Sequence, residues 1–176
     1  MKYRFGKKKE TFKYPYKLNL PTKPLLSMEK ITLLHFLNGH IEEDERNSFT
    51  IIGPRRYGKS LMAVYFAYVF DCDIMTHTKR MFDNLKKHAE FLNIPCPNIL
   101  LPGSNYNYDK KLIVDDFDCY PSNVSIPNNV LISLGSNLTS FSAYTLMLPI
   151  QRNEYKVSPN VVYSVGGCLV RVIPRY

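Results

Sequence analysis

The amino-acid sequence predicts an α/β domain with a mainly parallel central β-sheet and a C-terminal β-hairpin. Three observations support this class. Short β-branched runs alternate with stretches of helical spacing between residues 48 and 92, two further buried runs at 111–116 and 130–134 end next to polar residues, and two strand-like runs flank Gly166 and Gly167. Strands that alternate with helices favour a parallel sheet with crossover connections.

The length and composition predict one globular domain preceded by a short arm. The chain has 176 residues, of which 45% are hydrophobic and 22% charged, as is typical of a globular protein with one core. Pro15, Pro21 and Pro24 interrupt the first segment, so residues 1–26 are predicted as an extended arm and residues 27–176 as the folded domain. No apolar run approaches the roughly 20 residues that span a bilayer, and the N-terminus lacks the apolar region of a secretory signal. We therefore expect no membrane partner and a cytoplasmic location.

The helices and strands follow from the apolar spacing and the turn residues. Ser27 can cap an amphipathic helix that Asn38 and Gly39 are expected to end, and the acidic segment 42–45 is expected to form a loop. The remaining elements are predicted, in chain order, as a strand at 48–52, a helix at 59–70, a strand at 72–76, a helix at 79–92, a loop at 95–108, strands at 111–116 and 130–134, and a hairpin of 161–165 with 168–173. The four cysteines form no C-x-x-C pair, which indicates neither a zinc site nor a disulfide framework.

A phosphate-binding motif lies between the first predicted strand and the helix that follows it. Residues 53–60, GPRRYGKS, match G-x-x-x-x-G-K-[ST] at every required position. The glycines allow backbone N–H groups to face phosphate oxygens, and the helix adds the positive end of its dipole. Lys59 is expected to reach the β and γ phosphates and Ser60 to ligate magnesium. The predicted nucleotide-binding residues are Gly53, Pro54, Arg55, Arg56, Tyr57, Gly58, Lys59, Ser60 and Leu61.

A second motif follows about 55 residues after the first. The apolar run 112–114 and the acids Asp115 and Asp116 have the form of a Walker B strand. Asp115 is expected to hold magnesium through water, and Asp116 to polarise the attacking water. Paired acids after an apolar run can also mark a turn, but together with the phosphate-binding motif they indicate a catalytic site.

The strand predicted at 130–134 leads to a candidate sensor. It resembles the strand that follows the Walker B strand in ATPases with these two motifs. That strand ends in a polar residue facing the γ-phosphate, and Asn137 is the candidate here. The alternative is that Asn137 is a turn residue after Gly135. The chain has no N-K-x-D sequence that would read guanine, so ATP with Mg²⁺ is expected rather than GTP. The sequence thus predicts an ATPase whose catalytic residues include Lys59, Asp116 and Asn137.

With these motifs in this order, residues 49–137 resemble the additional-strand ATPases, a division of P-loop proteins that includes AAA+ proteins, helicases and viral packaging motors. The resemblance implies a P-loop NTPase fold, a three-layer sandwich around the central sheet, and a homo-oligomeric ring. Asp116 stands where members of this division usually have the longer glutamate. A slow turnover or a substitute base therefore stays open.

A more particular resemblance concerns the encapsidation ATPases of small phages with protein-primed DNA. Residues 132–149 (ISLGSNLTSFSAYTLMLP) and 153–174 look like the end of the ATPase domain of those proteins, which also carry arginine in the P-loop, as Arg55 and Arg56 do here. Packaging ATPases of the poxvirus type are similar in ending their Walker B strand with two aspartates. These likenesses imply a ring that packages double-stranded DNA at a viral portal or capsid vertex, in the host cytoplasm or the virion.

The phage motors are expected to supply an arginine to a neighbouring active site. No arginine lies between Asp116 and Asn137, so Arg152 is the leading candidate for this finger, with Arg55 and Arg56 behind it. A surface charge without a catalytic role is the alternative for each of the three.

The net charge of +8 is concentrated in the arm. Residues 1–24 contain eight Lys or Arg residues and one Glu, so they carry +7 and the rest of the chain about +1. Tyrosines and phenylalanines lie between the lysines, a composition that suits a phosphate backbone and stacked bases. A solvated tail and a segment docked on a neighbouring subunit are the alternatives.

Three classes of function are compatible with these features. The leading hypothesis is a ring-forming motor that packages or moves nucleic acid, because a basic aromatic arm accompanies the phosphate site. The alternative is an AAA+ replication initiator or helicase loader, which would carry a C-terminal helical lid, whereas the last 27 residues are predicted as strands. A small-molecule kinase would need an arginine-rich lid, and Arg152 is the only arginine between Asn137 and the C-terminal strand.

Overall fold

The structure is a computed structural model that describes residues 27–137, 146–149 and 161–174, apart from the side chains of 146–149 and of Val161. The predicted basic arm, residues 1–26, lies outside the described residues, as does Arg152. No helix in the described ranges has both the length and the apolar character needed to cross a bilayer.

The described residues form three α-helices and eight strands. The helices are α1 (Met28–Glu43), α2 (Lys59–Phe70) and α3 (Lys79–Leu92). The strands are β1 (Ser48–Ile52), β2 (Asp73–Met75), β3 (Ile99–Leu100), β4 (Leu112–Val114), β5 (Val130–Gly135), β6 (Leu146–Pro149), β7 (Val161–Val165) and β8 (Cys168–Ile173), and a 3₁₀ turn (Phe117–Cys119) follows β4. The bounds predicted for β1, α2, α3, β7 and β8 agree with these elements.

All eight strands belong to one sheet, in the order β3-β2-β4-β5-β1-β8-β7-β6. The five strands from β3 to β1 pair in parallel. Strand β8 pairs antiparallel with both β1 and β7, and β6 pairs in parallel with β7. The prediction of an α/β fold with a mainly parallel sheet and a C-terminal antiparallel hairpin is therefore confirmed. Strand β5 lies between β1 and β4, although it follows both in the sequence.

The hairpin of β7 and β8 turns on the two predicted glycines. Gly166 and Gly167 have φ of 54° and 78°, the left-handed values that a tight two-residue hairpin turn requires and that glycine adopts without a steric penalty. A Cβ on Gly166 would lie 2.0 Å from the carbonyl oxygen of Glu29, so the turn packs directly on the first turn of α1. The hairpin is thus held against the helical part of the domain.

The helices and the sheet share one large hydrophobic core. All three helices contribute to it, and α2 contributes most because its apolar residues cover nearly its whole circumference, as expected for a helix buried on several sides. A separate cluster is formed by alternate residues of the neighbouring strands: Met75, Leu100, Leu112, Val114 and Val130. Residues of the loop and turn segments pack on this second cluster: Tyr106, Phe117, Tyr120 and Ile126. Loops rather than helices therefore cover this part of the sheet in the described residues, and the three-layer sandwich stays a prediction.

The first helix is longer than predicted. Asn38 and Gly39 were expected to end it, but α1 continues to Glu43, so the acidic segment 42–45 is partly helical and that prediction is wrong. Asn38 Nδ2 donates to Glu42 Oε1 at 2.9 Å, one turn further on. His40 is buried between the rings of Phe36 and Phe49. The apolar face thus extends past the glycine, and tertiary packing outweighs its weak helix propensity.

Two short strands were not predicted from the sequence. The predicted loop 95–108 contains β3, two residues that pair with Ile74 and Met75 of β2. Strand β6 likewise forms beside β7. Pairing with an existing strand edge defines such short elements, and two-residue runs carry no periodicity of their own. Strands β2 and β4 are also shorter than their predicted ranges of 72–76 and 111–116.

Candidate functional site

Residues 53–60, the predicted phosphate-binding motif, form a tight loop between β1 and α2, which confirms the predicted order of strand, loop and helix. Arg56 and Gly58 take left-handed conformations, with φ of 62° and 84°. Glycine adopts such values freely, whereas for arginine they cost free energy, and residues held in this way are concentrated at functional sites. A Cβ on Gly53 would lie 3.2 Å from Cys168 Sγ and 3.3 Å from Lys59 Cδ. The start of the loop is therefore packed between β8 and the Lys59 side chain.

Lys59 is the first residue of α2, and the loop closes around its side chain. Its Nζ donates to the carbonyl oxygens of Pro54 at 2.9 Å and of Gly53 at 3.3 Å. Only 8% of the residue is exposed. A buried ammonium group needs such acceptors, because desolvation of an unpaired charge is costly. The loop therefore holds a positive charge next to the N-terminal end of α2, whose first N–H groups have no partner within the helix.

A hydrogen bond joins the two predicted motifs. Ser60 Oγ, on the first turn of α2, donates to Asp115 Oδ2, directly after β4, at 2.9 Å. Asp115 is fully buried, and its Oδ1 atom has no hydrogen-bond partner among the described residues. A hydroxyl and a carboxylate are the hard oxygen donors that Mg²⁺ prefers. The unpartnered carboxylate oxygen means that the Ser60–Asp115 pair fits the predicted magnesium site.

The environment of Asp115 favours its protonated form. Burial, and secondly the charge of Asp116, raise the pKa of Asp115 to about 7, against the hydrogen bond from Ser60 and the charge of Lys59, which lower it. A divalent cation next to the carboxylate would favour the ionised form instead. Cation binding at this position is therefore expected to release a proton below neutral pH.

The raised pKa of Asp115 predicts a pH-dependent effect of the Asp115→Asn substitution. The folded-state pKa of about 7 exceeds the ordinary aspartate pKa of 3.8, so the contribution of Asp115 to stability is largest below pH 4 and declines as the pH rises toward 7. Asparagine removes this decline and still offers Ser60 an acceptor. We expect the substitution to raise the unfolding free energy more at pH 8 than at pH 5, by on the order of 2 kcal/mol.

Thermal and urea unfolding of the nucleotide-free protein at the two pH values measure this difference. Asp109→Asn provides a matched control, because Asp109 is an exposed acid on the loop before β4. The control should have the same small effect at both pH values. An equal effect of Asp115→Asn at pH 5 and pH 8 would show that the Asp115 carboxyl is not held in its protonated form.

Asp116 lies at a sharp turn of the chain. Its φ of 50° and ψ of 48° are left-handed, a conformation that aspartate tolerates better than most residues. The Asp116 carbonyl accepts from the N–H of Cys119, which closes the 3₁₀ turn. The two acids of the motif therefore have different surroundings, since Asp115 is fully buried and Asp116 is half-buried at the wall of a cavity.

One open cavity of about 720 Å³ brings most of the predicted residues together, a volume within the usual range for small-molecule sites. Its lining consists of Arg55, Arg56, Gly58, Lys59, Ser60, Leu61, His88, Asp116, Asp118, Cys119, Ser136 and Asn137. Asp115 is not part of this lining, but it accepts a hydrogen bond from Ser60, which is. Asn137 is exposed two residues after β5 and lines the same cavity as Lys59 and Ser60, while its role as a sensor stays a prediction.

Three predicted nucleotide-binding residues do not line the cavity. Gly53 and Pro54 instead hold Lys59 through their carbonyl oxygens. The Tyr57 hydroxyl donates to the carbonyl of Gly166 in the β7–β8 turn, and Lys30 Nζ lies 4.8 Å from the centre of the Tyr57 ring. Tyr57 therefore connects the loop to the hairpin and to α1.

Four cavity residues were not assigned from their sequence positions: His88, Asp118, Cys119 and Ser136. Asp118 had a local signal, because it is the last acid of the run D-D-F-D after β4. His88 is on α3 and had no signal beyond its helical spacing. Burial lowers its pKa, which favours the neutral imidazole. The candidate finger Arg152 lies outside the described residues.

Comparison of the chain with models of known protein families, with curated proteins and with solved structures found no match. The features of the chain that bear on its function are the loop around Lys59, the hydrogen bond between Ser60 and Asp115, and the cavity shared with Asp116 and Asn137.

Proposed function

We propose that this chain is a magnesium-dependent ATPase of the additional-strand P-loop division, and that it serves as a motor subunit that packages or translocates nucleic acid. The observation that carries the ATPase assignment is the 2.9 Å hydrogen bond between Ser60 and Asp115. It joins the end of a phosphate-binding loop to the end of a Walker B-like strand, 55 residues apart in the chain. In P-loop enzymes these two groups bind the same magnesium ion.

The position of each site residue suits a task in ATP hydrolysis. Lys59 provides a fixed positive charge for the β and γ phosphates, and the N-terminal end of α2 adds to it. Ser60 and Asp115 would hold Mg²⁺, which would neutralise charge on the phosphates. In this proposal Asp116 would accept a proton from the attacking water, and Asn137 would contact the γ-phosphate. Such preorganised charges can stabilise a transition state in which charge spreads over phosphate oxygens.

The strand order supports the additional-strand division. Strand β1 ends at the P-loop, β4 ends at the paired acids, and β5 pairs with both. Strand β5 therefore lies between the two strands that end at the motifs, and it leads to Asn137, as expected for the sensor-bearing strand that the resemblance implies. The carboxyl ends of parallel strands meet at one edge of the sheet. Asn137 follows β5, so it reaches this edge between the P-loop and Asp116.

The described C-terminal elements favour packaging over the alternative of an AAA+ replication initiator or helicase loader. An AAA+ protein would be expected to place a helical lid after the sheet. The described residues beyond Asn137 are instead the strands β6, β7 and β8, of which β8 pairs with β1. The resemblance to phage and poxvirus-type packaging ATPases supplies the remaining parts of the proposal, namely double-stranded DNA, a homo-oligomeric ring and a portal or capsid vertex.

ATP turnover with and without double-stranded DNA tests both parts of the proposal. We expect hydrolysis to require Mg²⁺ and to increase when DNA is added. Hydrolysis that does not respond to DNA would argue against a DNA motor and leave a generic ATPase. An absence of hydrolysis under both conditions, with ATP binding also absent, would overturn the ATPase assignment itself.

The basic arm provides a second test of the nucleic-acid role. Replacing Lys7, Lys8 and Lys9 with glutamine in the full chain removes three of the eight positive charges of residues 1–24. We expect weaker binding to double-stranded DNA and a flatter salt dependence, since each lost phosphate contact reduces the log–log slope by about 0.9. Basal ATP hydrolysis should not change, because the arm contains none of the site residues.

Binding isotherms at several salt concentrations measure the slope. A control outside the arm replaces Lys86 and Lys87, two exposed lysines of α3, with glutamine and so removes two positive charges from the folded domain. We expect this control to keep the slope of the unmodified protein. If the arm variant also keeps its affinity and slope, the arm does not contact DNA, and docking on a neighbouring subunit becomes the better account of its charge.

A further inference from the structure

One carboxylate joins the turn after β4 to the loop after β5. Asp118 Oδ2 accepts the backbone N–H of Ser136 at 2.8 Å and that of Asn137 at 2.7 Å. Hydrogen bonds to an ionised acceptor are shorter and stronger than neutral ones. Asp118 thus holds the backbone on which the candidate sensor Asn137 is mounted.

Gly135 leaves the space that this contact requires, because it has no side chain. A Cβ at this position would lie 2.7 Å from a ring carbon of Phe117 and 3.1 Å from Asp118 Oδ2. Both distances are shorter than an ordinary van der Waals contact, and the first requires the ring or the backbone to move. The end of β5 therefore packs tightly against the residues that immediately follow Asp116.

These contacts set the separation between the two residues proposed to act at the γ-phosphate. Asp116 begins the 3₁₀ turn that carries Asp118, and the bond from the Cys119 N–H to the Asp116 carbonyl closes this turn. Asn137 is one of the two residues whose N–H groups Asp118 binds. A displacement at either Asp116 or Asn137 would therefore be transmitted to the other through a short chain of bonded groups.

We propose that Asp118 is a positioning residue that couples Asn137 to Asp116. This inference rests on the proposed ATPase function. Asp118 holds the loop of Asn137 by its backbone, so that the Asn137 side chain and Asp116 keep a common geometry around the γ-phosphate. Asp118 acts through these two residues, and the P-loop contacts of the nucleotide are independent of it.

Asp118→Ala in the full chain removes the acceptor and leaves the P-loop unchanged. We expect kcat for ATP to fall on the order of 10- to 100-fold, because small displacements of positioned groups can reduce rates by that amount. KM for ATP should stay within about threefold, since Lys59 and the loop bind the phosphates. An unchanged kcat, or a loss confined to KM, would overturn the proposal.

Asp118→Asn distinguishes positioning from other roles of the carboxylate. Asparagine keeps a carbonyl oxygen that can accept both N–H groups, so we expect it to restore most of kcat. Failure of this rescue would overturn the proposal, and so would a raised Mg²⁺ requirement in Asp118→Ala, which would identify Asp118 as a metal ligand. Asp109→Ala, at an exposed acid on the loop before β4, is the matched control and should retain wild-type kinetics.

Backbone hydrogen exchange tests the contact without relying on hydrolysis. In Asp118→Ala we expect faster exchange at the amides of Ser136 and Asn137 and unchanged exchange in β4, and Asp118→Asn should restore the slow exchange at the two amides. Unchanged exchange at both amides in Asp118→Ala would overturn the proposal. If exchange responds as expected but the unmodified protein hydrolyses no ATP, the proposed function fails while the structural link between the two loops is retained.

Discussion

Lys59→Ala is expected to abolish ATP hydrolysis and to leave the fold intact. The Lys59 ammonium donates to the Pro54 and Gly53 carbonyls at the start of the loop that we propose binds phosphate, next to the first turn of α2. Removing it deletes the charge that would stabilise the transferring phosphate, and loss of even one such preorganised donor costs on the order of 10²- to 10³-fold in kcat. The core of the domain is formed by other residues, so the structure should persist without this charge.

Phosphate release measures the loss of hydrolysis, and circular dichroism with thermal unfolding measures the fold. Lys87→Ala, at an exposed lysine of α3, removes the same charge away from the cavity and should keep full activity. Unchanged turnover in Lys59→Ala would mean that residues 53–60 do not bind the phosphates of the hydrolysed nucleotide. The ATPase assignment would then have to be abandoned.

Asp115→Ala and Asp116→Asn are expected to separate metal binding from chemistry. Asp115 bonds to Ser60, and one of its oxygens has no partner in the described part of the chain, so its loss should remove magnesium-dependent binding and hydrolysis together. Asp116 lines the cavity from a separate turn. Its conversion to asparagine should permit binding of Mg²⁺ and ATP but reduce kcat on the order of 10²-fold or more, because asparagine cannot accept a proton.

Titration of each variant with a fluorescent ATP analogue, with and without Mg²⁺, reports binding, and phosphate release reports turnover. Asp83→Asn, at an exposed acid of α3, should behave as the unmodified protein in both assays. Normal hydrolysis by Asp116→Asn would show that another residue is the base. Magnesium-dependent binding that survives in Asp115→Ala would remove Asp115 from the metal site.

The core of the candidate site could be predicted because its signals are local. A loop that wraps a phosphate requires glycines at fixed positions, a lysine and a hydroxyl within eight consecutive residues. The signal of the second motif is local as well, because its two acids directly follow a buried strand. The structure accordingly brings Lys59, Ser60 and Asp116 to one cavity, with Asp115 bonded directly behind it.

Contacts between distant segments decided the rest of the site. Tyr57 belongs to the motif by position, yet its hydroxyl bonds to Gly166, 109 residues away, and its side chain lies outside the cavity. Asp118 acquires its partners only when the loop after β5 reaches it, 18 and 19 residues further along the chain. A hydrogen bond between such positions leaves no periodicity in the sequence.

The sequence by itself determined those helices and strands whose bounds depend only on residues within the segment and directly beside it. The bounds of α2 and α3 agree with their predictions because apolar spacing and flanking turn residues within each segment specify them. Only the tertiary structure decided that α1 extends beyond Gly39, that β3 forms on the edge of β2, and that β5 lies between β1 and β4. Each of these outcomes depends on burial or strand pairing against a partner remote in sequence, and that partner contributes free energy that local propensity does not contain.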